Sequence, residues 1–101
     1  MTKKSVNVIE GYDPLFYELI AALDQSQGGK GAERHANGLP FCEQPIMTLS
    51  KMCGAGGPAQ QVMKKTQEAL GMHKRGKTDA AIRELHGAIV YAAATILAMR
   101  E

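Results

Sequence analysis

Residues 78–100 read TDAAIRELHGAIVYAAATILAMR, and this stretch carries the strongest structural signal in the chain. Apolar side chains recur in it every three or four residues, which is typical of one face of an α-helix. The residues of that expected core face are Ile82, Leu85, His86, Ile89, Ala93, Ile96 and Leu97. A second apolar face consists of Ala81, Ala88, Ala92 and Ala94. A helix with two apolar faces needs a cover on each, from its own chain or from another copy, so the pattern favours a homo-oligomer.

Upstream of this helix the sequence predicts two shorter ones. Pro45 begins a short helix that Gly54 ends, because proline fits the first helical position and glycine fits the position after the last. Pro58 begins the next helix, which we expect to end at Gly71. Thr78 is then expected to be the N-cap of the last helix, through a side-chain hydrogen bond to its first turn.

The N-terminal part predicts an arm followed by a helix. Residues 1–12 are expected to form an extended arm that lies on its own core or on a neighbour, because the segment around Val6 is rich in β-branched residues. Asp13 is a good N-cap and Pro14 fits the first turn, so a helix should begin there and run to about Gln25.

These elements predict one all-α domain, residues 1–101, built as a small bundle of about four helices. Residues 26–44 lack helical periodicity and form a long loop after the first helix. Loops longer than about 12–15 residues in a compact domain are usually functional or disordered. Leu39, Pro40 and Phe41 are apolar anchors that could order this loop, so we expect it to be functional.

Composition excludes several classes of protein. A net charge of +2 with both signs interspersed does not favour binding to duplex nucleic acid. The longest uncharged run, residues 88–99, is shorter than the roughly 18 apolar residues of a membrane helix, and no signal peptide is evident. We therefore expect a cytoplasmic protein. Cys42 and Cys53 show no C-x-x-C spacing, so reduced, semi-buried thiols are favoured over a zinc site shared with His35 and His86.

The loop contains a block of glycines and charged residues that suits a phosphate group. Glycines let backbone N–H groups approach an anion closely, while lysine, arginine and histidine add charge and donors. The predicted ligand-binding residues here are Gly28, Gly29, Lys30, Gly31, Glu33, Arg34 and His35. The block is neither a Walker A loop nor a dinucleotide fingerprint, and a solvated turn remains the alternative.

Two aromatic residues complete the predicted site. Phe41 and Tyr12 could stack on a nucleobase, although either could instead serve as an anchor at the end of an element. His86 lies on the apolar face of the last helix, where a hydrogen-bonded histidine is more common than a catalytic one. The residues give no catalytic set, no metal site and no cofactor.

The pattern KGxERHxxxxPFxxQP, residues 30–45, together with RELHGAIVY at 83–91, resembles a group of small, largely uncharacterised bacteriophage proteins. The resemblance covers about the last three-quarters of the chain. It implies a phage protein in the host cytoplasm, and small phage proteins of this kind can act as sponges for nucleotide second messengers of host defence.

The last helix also resembles the closing helix of the all-α nucleoside triphosphate pyrophosphohydrolases. That family holds magnesium with an E-x-x-D pair and an earlier E-E-x-x-E set. Here Glu84 is followed three places later by Gly87, and Glu68 is the sole acidic residue of the preceding predicted helix. The resemblance therefore implies a binder rather than a hydrolase, since two-metal chemistry needs converging carboxylates.

The sequence thus favours a non-catalytic, oligomeric protein that sequesters a small phosphorylated, nucleotide-like ligand. One alternative is a protein-interaction inhibitor of a host or phage protein, and a structural phage component is also open. A further alternative is a degenerate pyrophosphohydrolase that uses Glu33, His35 and Glu84.

Overall fold

The computed structural model describes residues 4–28 and 39–101. In these two ranges the chain forms four α-helices and no strand, which confirms the all-α prediction. The helices are α1 (Asp13–Gly28), α2 (Pro45–Cys53), α3 (Gly56–Lys74) and α4 (Thr78–Met99). A short 3₁₀ helix, Phe41–Glu43, precedes α2.

The longest helices, α3 and α4, form the main packed pair, and α1 and α2 pack onto it. A tight turn joins α3 to α4, so the two run antiparallel. Gly76 has a φ of +79° in that turn, a conformation that glycine adopts without the steric cost of a Cβ. The amide of Lys77 donates to the carbonyl of Met72 and closes the turn.

Small residues form the buried core of the described ranges. The buried hydrophobic residues are Ala22, Met47, Ala69, Ala81, Ala88 and Ala94. Met47 is the largest fully buried side chain, and the remaining core positions are alanines. Small side chains let helix axes approach closely, so the α3 and α4 pair is held by close contact rather than by bulky apolar groups.

The predicted core face of the last helix is therefore corrected by the structure. Ile82, Leu85 and Ile96 are 42%, 39% and 52% exposed, while three of the four alanines of the second apolar face, Ala81, Ala88 and Ala94, are buried and Ala92 is exposed. Small side chains at the buried positions allow neighbouring helices to approach closely. The isoleucines and leucine are thus left at the surface of the chain.

Lys65 of α3 packs against α4 at Gly87, where there is no side chain. A Cβ on Gly87 would lie 3.3 Å from Cδ of Lys65, so the missing side chain makes room for the lysine stem. The Lys65 ammonium lies 3.6 Å from Oε1 of Glu84 and 5.7 Å from the centre of the Tyr91 ring. One side chain therefore contacts about two turns of α4.

Several helix ends differ from the predicted ones. α1 continues to Gly28 rather than ending near Gln25, and α3 runs through Lys74 rather than ending at Gly71. α2 begins at Pro45, as predicted, and ends before Gly54. A glycine inside a helix costs only about 1 kcal/mol, which continued hydrogen bonding and packing can offset.

The start of α4 is also corrected. The helix begins at Thr78 itself, Lys77 holds the N-cap position, and no side chain caps the first turn. The Thr78 hydroxyl instead lies 2.9 Å from Nδ1 of His73 in the last turn of α3. Thr78 therefore links the two helices and does not cap α4.

The described part of the predicted arm, residues 4–12, has no regular structure apart from a turn that precedes α1. The amide of Tyr12 donates to the carbonyl of Ile9 in that turn. Val6 and Ile9 are 67% and 73% exposed, so residues 4–12 do not lie on the core formed by the described ranges. Contact with a neighbour stays a prediction.

By length and composition α4 also qualifies as a membrane-spanning helix, since it has 22 residues and a stretch of 18 with a mean hydropathy of 1.3, of which 11% is buried. Helices in the core of a protein pass the same test. Glu84, within α4, forms an ion pair with Lys65 of α3.

Candidate functional site

Two side-chain contacts hold α1 against α4. Oε1 of Glu18 lies 2.9 Å from Nε2 of His86, whose side chain is only 12% exposed. Further along α1, the Gln25 amide donates to the carbonyl of Arg83 at 3.1 Å. The hydrogen-bonded histidine expected on the last helix is thereby confirmed, and these contacts fix the spacing of the two helices.

A cavity of about 560 Å³ lies between α1, α4 and the segment that leads into α2. Its volume falls within the roughly 300–1,000 Å³ of small-molecule sites. Its lining consists of Leu19, Ala22, Leu23, Ser26, Gln27, Leu39, Phe41, Gln44, Ile89, Val90, Ala93 and Leu97. Apolar walls with a few polar groups are typical of small-molecule sites.

The wall that faces the two helices is built by the 3₁₀ turn. The Gln44 amide donates to the carbonyl of Leu39 at 2.8 Å, and the amide of Glu43 donates to the carbonyl of Pro40 at 2.9 Å. These bonds fix the half-buried Phe41 in the cavity wall. The ring is thus held where it could contact a ligand.

Of the predicted ligand-binding residues, Phe41 lines the cavity and Gly28 is the last residue of α1. Gly29, Lys30, Gly31, Glu33, Arg34 and His35 lie outside the described residues. Gln27 and Leu39, which lie on the two sides of that segment in the sequence, both line the cavity. The described ends of the predicted phosphate loop therefore meet at one site.

Tyr12 lies elsewhere. It precedes the first turn of α1, is 58% exposed, and is separated from Gln27 by fifteen positions. At 1.5 Å per helical residue this is a distance of about 22 Å along the helix axis. The structure therefore does not bring Tyr12 and Phe41 together in one site.

Helical periodicity assigns Leu19 and Leu23 of α1, and Ile89, Ala93 and Leu97 of α4, to a buried core, whereas the structure places all five in the cavity wall. Leu19 and Leu23 are 46% and 51% exposed on α1, and Ala93 is exposed on α4. The sequence did contain a signal for this cavity, because α1 and α4 have more apolar residues than a chain of this size can bury.

The cavity lining, all of it in the described ranges, contains no carboxylate, imidazole, amine or thiol. Among the residues that the structure describes, no group of three or more His, Cys, Asp or Glu could hold a metal ion. Cys42 and Cys53 are free and exposed rather than semi-buried. The polar side chains of the described lining are those of Ser26, Gln27 and Gln44.

Comparison of the chain with protein-family models, curated proteins and solved structures found no match.

Proposed function

We propose that this chain is a non-catalytic protein that binds and sequesters a small phosphorylated ligand carrying a flat ring, a nucleotide in the simplest case. The observation that carries the proposal is the apolar cavity whose wall includes Gln27 and Leu39. These residues flank the predicted phosphate loop, so a ring in the cavity would place its phosphate beside that loop.

The cavity offers contacts of two kinds to such a ring. The Phe41 ring and the leucines of α1 supply apolar and stacking contacts, and base stacking on an aromatic ring is worth about 1–3 kcal/mol. Ser26, Gln27 and Gln44 supply hydrogen-bonding groups. The amide of Gln44 already donates to Leu39, which leaves its Oε1 as an acceptor for a ring amine.

Phosphate would be held by the predicted cradle outside the described residues. Lys30, Arg34 and His35 would form charge-assisted hydrogen bonds, and the glycines would offer backbone N–H groups. The uncharged cavity would therefore hold the ring of the ligand, and the basic loop would hold its phosphate. The cavity lining in the described ranges holds no carboxylate, imidazole, amine or thiol, and Ser26 supplies its one hydroxyl, which supports binding rather than turnover.

The resemblance to phage proteins adds a biological setting to the proposal. In that setting the chain is phage-encoded, acts in the host cytoplasm, and binds a nucleotide second messenger of host defence. Sequestration of a signal requires tight binding and slow release rather than chemistry. Cyclic and linear dinucleotides therefore belong in the first ligand panel.

The proposal is tested by thermal melting of the purified chain with mono-, di- and cyclic nucleotides. A ligand at 100 times its Kd stabilises a protein by about 2.7 kcal/mol, which raises the Tm of a domain of this size by roughly 10–20 °C. Two variants should lose the rise: Arg34→Ala, which removes a phosphate donor, and Ala93→Leu, which fills the cavity.

Two control variants separate binding from general effects. Lys74→Ala removes an exposed charge at the end of α3, and Leu70→Ala shortens a side chain that is 60% exposed on α3. Both should keep the ligand response. A response that survives Ala93→Leu would place the ligand outside the cavity, and no response to any nucleotide would refute the proposal.

The absence of any nucleotide response would favour the second candidate, a protein-interaction inhibitor. The observation behind that candidate is the number of large apolar side chains at the surface, such as Met52 at 80% and Met63 at 67% exposed. Self-association remains part of the main proposal, and α4 supplies the surface for it.

A further inference from the structure

An exposed apolar face runs along the whole of α4 on the side away from α3. We call this face the α4 seam. Its residues are Ile82, Leu85, Ile89, Ala92, Ile96 and Met99. They follow one another at alternating intervals of three and four positions, and the seam is about 25 Å long at 1.5 Å per residue.

This spacing is the heptad repeat of a coiled coil, with isoleucine at every a position and Leu85, Ala92 and Met99 at the d positions. A mean period of 3.5 residues keeps such a face turned toward another helix over many turns. Over this length the same spacing also suits a helix that faces a core, so the exposure of the seam residues decides between the two.

The residues that the structure describes leave most of the seam exposed, and Ile89 is half-buried. Ile96 and Met99 are 52% and 71% exposed, Ile82 is 42% exposed, and Ala92 is also exposed. Ala94, on the opposite side of α4, is fully buried, and Ala88, which borders the seam, is 6% exposed. The heptad face therefore lacks its second helix within the described residues.

We propose that the α4 seam binds the same seam of a second copy of the chain, with the two helices antiparallel. In that arrangement an a residue faces a d residue across the two-fold axis. Ile82 then faces Met99, Leu85 faces Ile96 and Ile89 faces Ala92. Each layer combines two different side chains, and the small Ala92 receives the branched Ile89 at the centre.

Charge also favours the antiparallel orientation. Asp79 and Arg100 lie at e positions, beside the two ends of the seam. Antiparallel pairing places Asp79 near Arg100 of the second copy at both ends, whereas parallel pairing leaves the two charges at opposite ends of the pair. The helix dipoles oppose one another only in the antiparallel pair, which is the favourable orientation for neighbouring helices.

The proposed dimer does not depend on the ligand, but it adjoins the ligand cavity. Ile89 belongs both to the seam and to the cavity wall. A second copy on the seam would therefore cover the adjoining side of the cavity and reduce its exposure to water. Dimerisation should accordingly be measurable without any nucleotide.

The first test is the mass of the full chain by light scattering over a range of concentrations. We expect twice the chain mass of 10.9 kDa at high concentration. Ile96→Asp should reduce this to the single-chain mass, since it places a charge in the seam. The matched control, Met63→Asp, changes a 67% exposed side chain on α3 and should leave the mass unchanged.

Circular dichroism of each variant separates loss of association from loss of folding, and Ile96 is exposed enough for the fold to survive. Leu85→Asp provides a second seam variant if Ile96→Asp does not fold. A wild-type chain that stays monomeric, or one that associates equally well with Ile96→Asp and Leu85→Asp, overturns the proposal.

The second test determines the orientation. Cys42 and Cys53 are exposed and are first replaced by serine, which leaves the chain without thiols. Ile82→Cys and a tagged Met99→Cys are then mixed and oxidised. The antiparallel dimer gives a disulfide between the two different variants, whereas disulfides that form only within each variant overturn the antiparallel arrangement.

Discussion

Replacement of Lys65 by methionine should lower the free energy of unfolding, because Lys65 makes two charge-dependent contacts between α3 and α4. Methionine keeps an unbranched stem over Gly87 but removes the charge. The lost contacts are the ion pair with Glu84 at 3.6 Å and the cation–π contact with Tyr91 at 5.7 Å.

The magnitude follows from the burial of these groups. The side chains of Lys65 and Glu84 are 24% and 25% exposed, so their ion pair should reach the upper part of the range for surface pairs, about 1 kcal/mol. The contact with the Tyr91 ring adds about 0.5–1 kcal/mol. Lys65→Met should therefore lower the free energy of unfolding by about 1–2 kcal/mol.

Urea unfolding at a fixed protein concentration measures this loss, and the chain provides a matched control. Lys64 is adjacent, pairs with Glu68 at 3.9 Å, and is 64% exposed. Lys64→Met should cost at most about 0.5 kcal/mol, as is usual for an exposed pair one helical turn apart. Equal losses for the two variants would refute the reasoning.

A double-mutant cycle isolates the ion pair. Glu84→Gln removes the other charge, and its cost should be smaller in the Lys65→Met background than in the wild type. We expect a coupling free energy of about 0.5–1 kcal/mol. Additive losses would show that Lys65 acts through the packing of its stem and not through its charge.

Two further predictions concern small residues of α4. Alanine in place of glycine normally stabilises a helix by about 1 kcal/mol. Gly87→Ala should not give this gain, because its Cβ would lie 3.3 Å from the Lys65 stem. In a Lys65→Ala background the full gain should appear in urea unfolding. Ala94→Leu should destabilise the chain by about 1–3 kcal/mol through overpacking. Ala93→Leu, one position earlier and exposed, should stay within about 0.5 kcal/mol of wild type, and equal losses would contradict the burial of Ala94.

The helices of this fold could be predicted from the sequence because each has a local signal. Pro45 and Gly54 define α2 through backbone chemistry that does not depend on the rest of the chain. The last helix was evident from its apolar spacing. The 3₁₀ turn at Phe41 was not predicted, since its stabilising bond from Gln44 to Leu39 is a side-chain contact without a periodic pattern.

Which apolar face of α4 is buried could not be predicted in the same way. Both faces satisfy helical periodicity, and the preference for the alanine face depends on the close approach of α3. The Thr78 cap failed for a related reason, because His73 lies at the end of a helix that proved longer than expected. In both cases the outcome depends on contacts with a neighbouring helix, which the local sequence does not specify.

The same limit applies to the candidate site. Phe41 was predicted to contact a ligand, and it lines the cavity. The apolar walls from α1 and α4 were assigned to the core, because a sequence cannot show where two helices separate. Tyr12 was grouped with Phe41 by residue type, and the length of α1 places it far from the cavity.

The alanine-rich core affects how this protein can change by mutation. Single-base changes in an alanine codon give valine, threonine, serine, proline, glycine, aspartate or glutamate. At Ala81, Ala88 and Ala94 nearly all of these enlarge the side chain, add a polar group or disturb the helix. Random mutation will therefore inactivate this fold mainly by steric conflict, whereas proteins with leucine-rich cores lose stability mainly through voids. We expect the buried face of α4 to accept few replacements in a saturation library, and the exposed faces of α3 to accept many.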